Sequence, residues 1–187
     1  MRFLHVTTPF LITLFLFTGA CSQDPVVESK IESSTSIDST ISSNIEWVSL
    51  EEAQKEAKAT GKKVLIFGYA DWCTYCMKMR KETYPSDNVQ ESIDAGYIPV
   101  QINGESEEEI VFNGETYKSY ELARYLRLTS YPTHYFLNSE GKIIGAQPGF
   151  LPADVFSPLM NYVSEGLFGE VSFIDYMESK GIKLEQE

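Results

Sequence analysis

Two cysteines, Cys73 and Cys76, are the residues of this sequence best suited to do chemistry. They follow an apolar run of strand length, and the segment after them is compatible with a helix. Residues three apart on a helix share one face, with Cβ atoms about 5–6 Å apart, which is close to the separation that a disulfide needs. The spacing therefore predicts a dithiol/disulfide centre that opens and closes without rearranging the fold.

Length and composition limit the possible functions. The 187 residues suffice for one domain with accessory segments, and 43% of them are apolar, as is usual for a globular protein. The formal net charge of −12 argues against a nucleic-acid partner, because a phosphate backbone attracts basic patches. Three cysteines are too few for a disulfide scaffold, so the third, Cys21, requires its own explanation.

The N-terminus explains Cys21. Residues 1–20 read as a signal peptide, with Arg2 in the charged region and an apolar stretch over residues 9–17. Small residues lead directly into Cys21, and this arrangement resembles the lipobox of bacterial lipoproteins, in which the cysteine is acylated. Thr18 stands where that family usually has Leu, so a soluble exported protein and an uncleaved anchor stay alternatives. Acyl chains on Cys21 would hold the protein at a membrane.

The rest of the chain divides into three parts. Residues 21–44 are rich in Ser and Thr and contain no aromatic residue, which predicts a lipid-anchored flexible linker. The globular domain is expected over residues 45–165, followed by a C-terminal helical extension over residues 166–187.

Within the domain, helical and strand patterns alternate. The expected fold class is α/β, with a central mixed β-sheet flanked by helices, an N-terminal βα extension and a short C-terminal helix. Strands are expected over residues 45–48, 63–69, 97–102, 133–137 and 142–146, with an Asn-Gly hairpin at residues 113–114. Helices are expected over residues 50–60 after a capping box, 73–84, 86–96 and 120–127 with Tyr125 buried, from Pro152 with Val155 buried, and from Ser172.

Two separated motifs resemble the thioredoxin superfamily. Residues 72–76 (WCTYC) follow a buried strand, and residues 131–133 (YPT) precede a later one. Residues 69–73 and 149–152 (GFLP) are similar to exported thioredoxin-like proteins and to the C-terminal domain of the transmembrane thiol-disulfide reductase. The resemblance covers residues 45–165 and implies a thioredoxin fold.

The resemblance also assigns roles. Cys73 would be the attacking thiol, since it opens a helix whose free N–H groups favour its thiolate. Cys76, one turn further, would resolve the mixed disulfide. Pro132 would be cis, which leaves the backbone of Tyr131 free to pair with an extended substrate. Trp72 would shield the cysteines and contact partners, or serve packing alone.

Two positions depart from the thioredoxin pattern. Members commonly bury an Asp six residues before the first cysteine, paired with a Lys on the third strand, whereas this chain has Phe67 and Gln101. Neither side chain moves a proton at neutral pH, so either water or another group such as Asp71 assists the resolving thiol, or turnover is slow. An insertion over residues 104–118 is expected either to shape partner choice or to form a tolerated surface loop.

Metal binding is the main alternative chemistry. A zinc site needs about four ligands, and His134 is the sole histidine of the mature domain, where a structural role is expected. A Cu(I) carrier stays an alternative. Its soft ligands would be Cys73, Cys76, Met77 and Met79. Met79 shares the stripe of Cys76 and is expected in the core, and covalent haem is excluded because Met77 stands where that motif requires His.

These observations predict a thiol-disulfide oxidoreductase that reduces protein disulfides through Cys73 and Cys76, without a metal or cofactor. A disulfide oxidase or isomerase of the same fold is the alternative. Expected partners are disulfide-bearing envelope proteins, an upstream electron donor and, through Cys21, a membrane. The expected location is the periplasmic side of a bacterial membrane, or the periplasm itself if the protein is soluble. A monomer is expected.

Overall fold

The computed structural model describes residues 45–182. The predicted signal peptide, the lipidation site at Cys21 and the linker over residues 21–44 lie outside the described residues. Within the described part of the chain, no helix combines the length and the apolar character needed to cross a membrane.

Helices and strands follow one another in nearly the predicted order. The helices are α1 (Leu50–Thr60), α2 (Thr74–Lys78), α3 (Asp87–Gly96), α4 (Ser119–Tyr125), α5 (Ala153–Ser164) and α6 (Phe173–Ser179). The strands are β1 (Lys63–Tyr69), β2 (Tyr97–Asn103), β3 (Glu109–Phe112), β4 (Glu115–Lys118), β5 (Thr133–Leu137) and β6 (Ile143–Pro148). A π-helical turn over Met79–Thr83 continues α2.

The main sheet has the order β2-β1-β5-β6. β1 pairs with β2 in parallel and with β5 antiparallel, and β5 pairs antiparallel with β6. The predicted mixed sheet is therefore confirmed. β1 lies in the interior of the sheet, which explains its nearly continuous apolar sequence, because both faces of such a strand are covered.

Alternate residues of β1 enter two separate buried cores. Leu65 and Phe67 belong to one, and Val64 and Ile66 to the other. We call the first the cysteine-side core. Its buried members include Leu65, Phe67, Cys73, Cys76, Met79, Tyr84, Phe136, Phe156 and Met160. We call the second the opposite core. Its buried members include Leu50, Ala53, Val64, Ile66, Val100, Leu122, Leu126 and Leu137.

Local sequence signals form as predicted at two places. The Ser49 hydroxyl accepts a hydrogen bond from the Glu52 backbone, and the Glu52 carboxylate accepts one from the Ser49 backbone, which completes the capping box of α1. Between β3 and β4, Asn113 has φ 52° and Gly114 has φ 83°. Two successive residues with positive φ are what a two-residue hairpin turn requires.

The predicted strand over residues 45–48 is wrong. This segment is extended but forms no strand ladder, and its backbone reaches β2 through Val48 N, which donates to Pro99 O at 3.2 Å. Its apolar residues serve packing instead. The indole of Trp47 lies against Phe67 and Tyr84, with ring centroids 6.0 and 5.3 Å apart.

Tyr125 was predicted to be buried, but 62% of it is exposed. Leu122 and Leu126, one turn apart, already fill the buried stripe of α4. The Tyr125 ring lies beside that stripe and covers the hairpin, with centroids 6.2 Å from Phe112 and 5.9 Å from Tyr117. The spacing of apolar residues in α4 does not predict such a contact with the hairpin.

Two helices also differ in detail from the prediction. The expected helix over residues 73–84 is α-helical only at its start, and Tyr84 N donates to Met79 O, five residues back, at 3.0 Å. That wider turn places Met79, Thr83 and Tyr84 all in the interior. In α5, Val155 is half-buried rather than buried, because Phe156 and Leu159 take the inward face.

Candidate active site

Cys73 and Cys76 form a disulfide, with Cα atoms 5.2 Å apart. Cys73 caps the N-terminus of α2, and Cys76 lies inside its first turn. The two residues are only 3% and 2% exposed. The structure thus joins the two cysteines that the spacing singled out.

The backbone around Cys73 favours negative charge on its sulfur. The Cys73 Sγ atom accepts a hydrogen bond from Cys76 N at 3.0 Å. An N–H group that points at a sulfur stabilises a thiolate more than a thiol, because the charged acceptor binds the donor more strongly. After reduction, the same donor would favour the Cys73 thiolate.

The peptide bond between Tyr131 and Pro132 is cis, as the resemblance implied. Pro132 is buried, and its carbonyl oxygen accepts a hydrogen bond from Gly149 N at 2.8 Å. Within residues 45–182, the Tyr131 backbone takes part in no backbone–backbone hydrogen bond. Its N–H and C=O groups are therefore available to an extended segment of another chain.

Trp72 packs against the side chain of Tyr131. Its ring meets the Tyr131 ring edge to face, with centroids 5.9 Å apart, and 67% of the residue is exposed. A structural tryptophan in a domain of this size is ordinarily more buried. The exposed indole is suited to contact a partner at the disulfide.

The inserted segment contacts both aromatic residues. Trp72 Nε1 donates to Glu105 Oε2 at 2.9 Å. Gly104 lies so close to Tyr131 that a Cβ atom at position 104 would overlap the Tyr131 hydroxyl. The start of the insertion is therefore part of the wall of the site.

An apolar rim lies on another side of the cysteines. Tyr75 is 60% exposed, and its ring centroid is 6.1 Å from that of Phe150. Met77, also exposed, follows Cys76 directly. The Lys78 ammonium lies 4.5 Å from the centroid of Phe150. Sequence reasoning did not assign Tyr75 or Phe150 to the site, although both belong to the motifs that suggested the superfamily.

The two positions that depart from the thioredoxin pattern are neighbours across β1 and β2. Phe67 is fully buried and pairs in register with Gln101. The Arg80 guanidinium covers this place, with Cζ 5.3 Å from the Phe67 centroid and 4.6 Å from the Tyr69 centroid. Arg80 Nη2 donates to Gln101 Oε1 at 2.8 Å. Sequence reasoning missed Arg80, although its position four residues after Cys76 was a usable signal.

Asp71 is the carboxylate that the sequence offers as an aid to the resolving thiol. It is exposed, and its Oδ2 atom accepts a hydrogen bond from Asn103 Nδ2 at 3.0 Å. The structure therefore holds Asp71 at the surface, beside the insertion.

A buried polar pair lies against Phe67. The Tyr84 hydroxyl and His134 Nε2 are 2.8 Å apart, and the His134 ring stacks on Phe67 with centroids 5.4 Å apart. Burial lowers the pKa of His134 from 6.5 to about 3, so its imidazole is neutral at pH 7. Within the described residues, His134 Nδ1 has no hydrogen-bond partner. The buried position of His134 fits the structural role expected for it, but its partner Tyr84 was not predicted.

The two methionines of the Cu(I) alternative differ in their exposure to solvent. Met79 is fully buried, as expected for a core residue, and its sulfur accepts a hydrogen bond from Leu151 N at 3.4 Å. Met77 is exposed on the rim. Met79 thus shares the core of the two cysteines, whereas Met77 lies outside it.

Comparisons with known proteins agree with this geometry. The family described as "Thioredoxin-like domain" matches residues 50–164, more than half of the chain. The "Thiol:disulfide interchange protein DsbD" of Vibrio cholerae is 26% identical over 133 residues, which cover 71% of this chain and 18% of that protein. The "Disulfide bond reductase DsbH" of Chlamydia pneumoniae is 29% identical over 115 residues, which cover 58% of this chain and 65% of that protein.

Solved structures show the same fold. A thioredoxin-fold protein from Helicobacter pylori superposes with a TM-score of 0.58 at 19% identity and covers 65% of this chain and 85% of its own. A thioredoxin from Thermus thermophilus superposes with a TM-score of 0.54 at 23% identity and covers 67% and 92%. The predicted thioredoxin fold is confirmed, and the chain belongs to the thioredoxin-like domain family.

Proposed function

We propose that this protein is a thiol-disulfide oxidoreductase that reduces disulfides of cell-envelope proteins. The observation that carries the proposal is the Cys73–Cys76 disulfide at the start of α2, with Cys73 Sγ accepting a hydrogen bond from Cys76 N. Similarity to a protein named a disulfide bond reductase supports the reducing direction.

The reaction has two exchange steps. The Cys73 thiolate attacks one sulfur of a substrate disulfide, and the other substrate sulfur leaves as a thiolate and takes up a proton. Cys76 then loses its proton to solvent, and its thiolate attacks Cys73 Sγ. This attack breaks the mixed disulfide and closes the Cys73–Cys76 bond, and the remaining substrate sulfur leaves as a thiolate and takes up a proton from solvent, which completes the substrate dithiol. Two electrons pass from the protein to the substrate, so an upstream dithiol donor must reduce Cys73–Cys76 again.

Substrate binding in this proposal uses the surface between Trp72 and the cis Tyr131–Pro132 bond, which we call the groove. An extended substrate segment pairs with the free backbone of Tyr131, and Pro132 shapes the groove beside it. The exposed indole of Trp72 covers the apolar part of the same segment. Because main-chain hydrogen bonds do not depend on the side chains of the substrate, this arrangement suits several protein substrates.

We further propose that the protein is exported and anchored through an acylated Cys21, with residues 21–44 as a tether. The support is the sequence of residues 1–21. The test is mass spectrometry of the mature N-terminus, with Cys21→Ala followed through membrane fractionation. We expect an acylated Cys21 and release of the variant from the membrane fraction. An unmodified N-terminal residue would contradict the anchor.

The activity is tested by trapping. In cells, Cys76→Ser removes the resolving thiol, so mixed disulfides between Cys73 and partner proteins should accumulate. Treatment with dithiothreitol should reduce them and release the partners. Cys73→Ser is the matched control, since it has lost the attacking thiol and should capture nothing. The proposal fails if Cys76→Ser captures no partner and the purified wild-type protein reduces no protein disulfide.

A further inference from the structure

Arg80 occupies the place beneath the disulfide where the chain departs from the thioredoxin pattern. Its guanidinium lies over the rings of Phe67 and Tyr69 and binds Gln101, which pairs with Phe67 across the sheet. Arg80 is half-buried. A fixed cation therefore stands where neither an acid nor its Lys partner is present.

Arg80 is also close to the resolving cysteine. It follows Cys76 by four residues in the same helical segment, a spacing that puts Cβ atoms about 5–6 Å apart on one face. Phe67, which Arg80 covers, belongs with Cys76 to the cysteine-side core. The guanidinium therefore lies on a ring of the same core that contains the Cys76 side chain.

We propose that Arg80 is a positioning residue for the second exchange step, in which its guanidinium stabilises the Cys76 thiolate that attacks Cys73. This inference rests on the proposed function and adds to it a residue that favours ionisation of Cys76 where the buried acid is missing. Arg80 takes up no proton. Its charge lowers the cost of separating the Cys76 thiol into a thiolate and a proton that passes to solvent.

Other charges near Arg80 could cancel the effect of its guanidinium on the Cys76 thiolate. Ionisable groups near Arg80 come from several elements. They are Tyr69 on β1, Asp71 before α2, Lys78 at the end of α2, Glu82 in the π-helical turn, Tyr84 after it, Glu108 in the insertion and His134 on β5. Lys78 pairs with Glu82 at 3.7 Å, and His134 is neutral. Asp71 and Glu108 are exposed and therefore screened by solvent.

The Arg80 charge lowers the pKa of two nearby tyrosines relative to the effect of burial alone. Burial raises the pKa of Tyr84, and the nearby Arg80 charge opposes that rise. Burial raises the pKa of Tyr69, the Arg80 charge opposes that rise, and the Asp71 and Glu108 charges add to it. The Arg80 charge thus acts on two hydroxyl groups whose rings pack against Phe67.

The test isolates Cys76 in the full-length chain. In a Cys21→Ser, Cys73→Ser background, Cys76 is the one thiol left. Because Cys76 is buried, each rate of alkylation by iodoacetamide is expressed relative to its plateau at high pH, and this ratio follows the thiolate fraction. We compare this protein with versions that also carry Arg80→Met, Arg80→Lys or Lys81→Met. Lys81 is exposed, so Lys81→Met is the matched loss of one positive charge from the same turn.

Arg80→Met is expected to shift the pH profile of alkylation upward and to slow the reaction at pH 7 about three- to tenfold. Arg80→Lys should lie between it and the background, and Lys81→Met should stay within twofold. Thermal melts establish that each protein is folded, and Arg80→Lys serves as the charge-retaining variant if Arg80→Met does not fold.

Equal pH profiles for Arg80→Met and the background would overturn the inference, as would equal profiles for Arg80→Met and Arg80→Lys. The proposed function is judged separately by wild-type disulfide reduction. A wild type without that activity but with an Arg80-dependent Cys76 profile would defeat the function alone. An active wild type with an Arg80-independent profile would defeat this inference alone.

Discussion

The two cores on either side of the main sheet are built differently. The opposite core is mostly aliphatic, with Val64, Ile66, Val100, Leu122 and Leu137 among its members. The cysteine-side core contains many aromatic rings and encloses the disulfide. The Tyr84–His134 pair lies within it as a buried polar contact. Aliphatic packing tolerates rearrangement, whereas an oriented ring or hydrogen bond does not. Changes on the cysteine side should therefore alter chemistry as well as stability.

The largest expected difference between the two cores is in activity. Cys73→Ser should lower the rate of disulfide reduction by at least about 10³-fold, because it removes the attacking thiolate. Leu122→Ala should instead lower the free energy of unfolding by about 2–5 kcal/mol through a cavity in the opposite core. Activity per folded Leu122→Ala molecule should be unchanged. Turnover assays with urea denaturation measure both, and a folded Leu122→Ala protein with reduced turnover would break the comparison.

The next difference is in pH dependence. Burial lowers the pKa of His134 from 6.5 to about 3, so between these values the unfolded state binds a proton that the folded state excludes. Stability should therefore fall as the pH decreases from about 6.5 toward 3. Between pH 7 and pH 4.5 this group should cost about 2–3 kcal/mol in the free energy of unfolding.

Urea denaturation at the two pH values tests this difference against Tyr84→Phe/His134→Leu, which removes both members of the buried pair. The double variant should lose less stability on acidification than the wild type. An equal loss in both proteins would mean that His134 does not cause it.

A smaller effect is expected at the groove. Gly104→Ala should displace the Tyr131 ring, because the added Cβ atom overlaps its hydroxyl. We expect KM for a protein disulfide to rise about threefold with little change in kcat, since the cysteines are untouched. Thr116→Ala, exposed in the same insertion, is the control and should behave as the wild type. No change in KM for Gly104→Ala would show that the Tyr131 position is unimportant for binding.

The smallest effect is expected at the helix cap that leads into the opposite core. Ser49→Ala removes the hydroxyl that caps α1 and should cost about 0.5–1 kcal/mol in the free energy of unfolding, with unchanged reductase activity. Thermal denaturation measures the cost. Altered activity in a folded Ser49→Ala protein would show that the two cores are coupled more strongly than their composition suggests.

Local patterns predicted much of this structure. The capping box of Ser49, the Asn113-Gly114 turn and the spacing of the cysteines all involve residues close in sequence, so their geometry follows from backbone chemistry. The cis bond before Pro132 came from resemblance rather than from any local pattern.

The missed features join distant parts of the chain. Trp72 and Glu105 are 33 residues apart, Arg80 and Gln101 are 21 apart, and Tyr84 and His134 are 50 apart. No single periodicity relates such pairs, because strand register and helix docking bring them together only after folding. For the same reason the role of the insertion at Glu105 could not be chosen from the sequence.

Pro99 lies on β2, an outer strand of the main sheet in the described part of the chain. It has no N–H group to offer, and its carbonyl already accepts a hydrogen bond from Val48 N. Templated fibril growth needs an unbroken row of donors and acceptors along such a strand. β2 lacks that row at its centre, so this border of the sheet is a poor seed for amyloid.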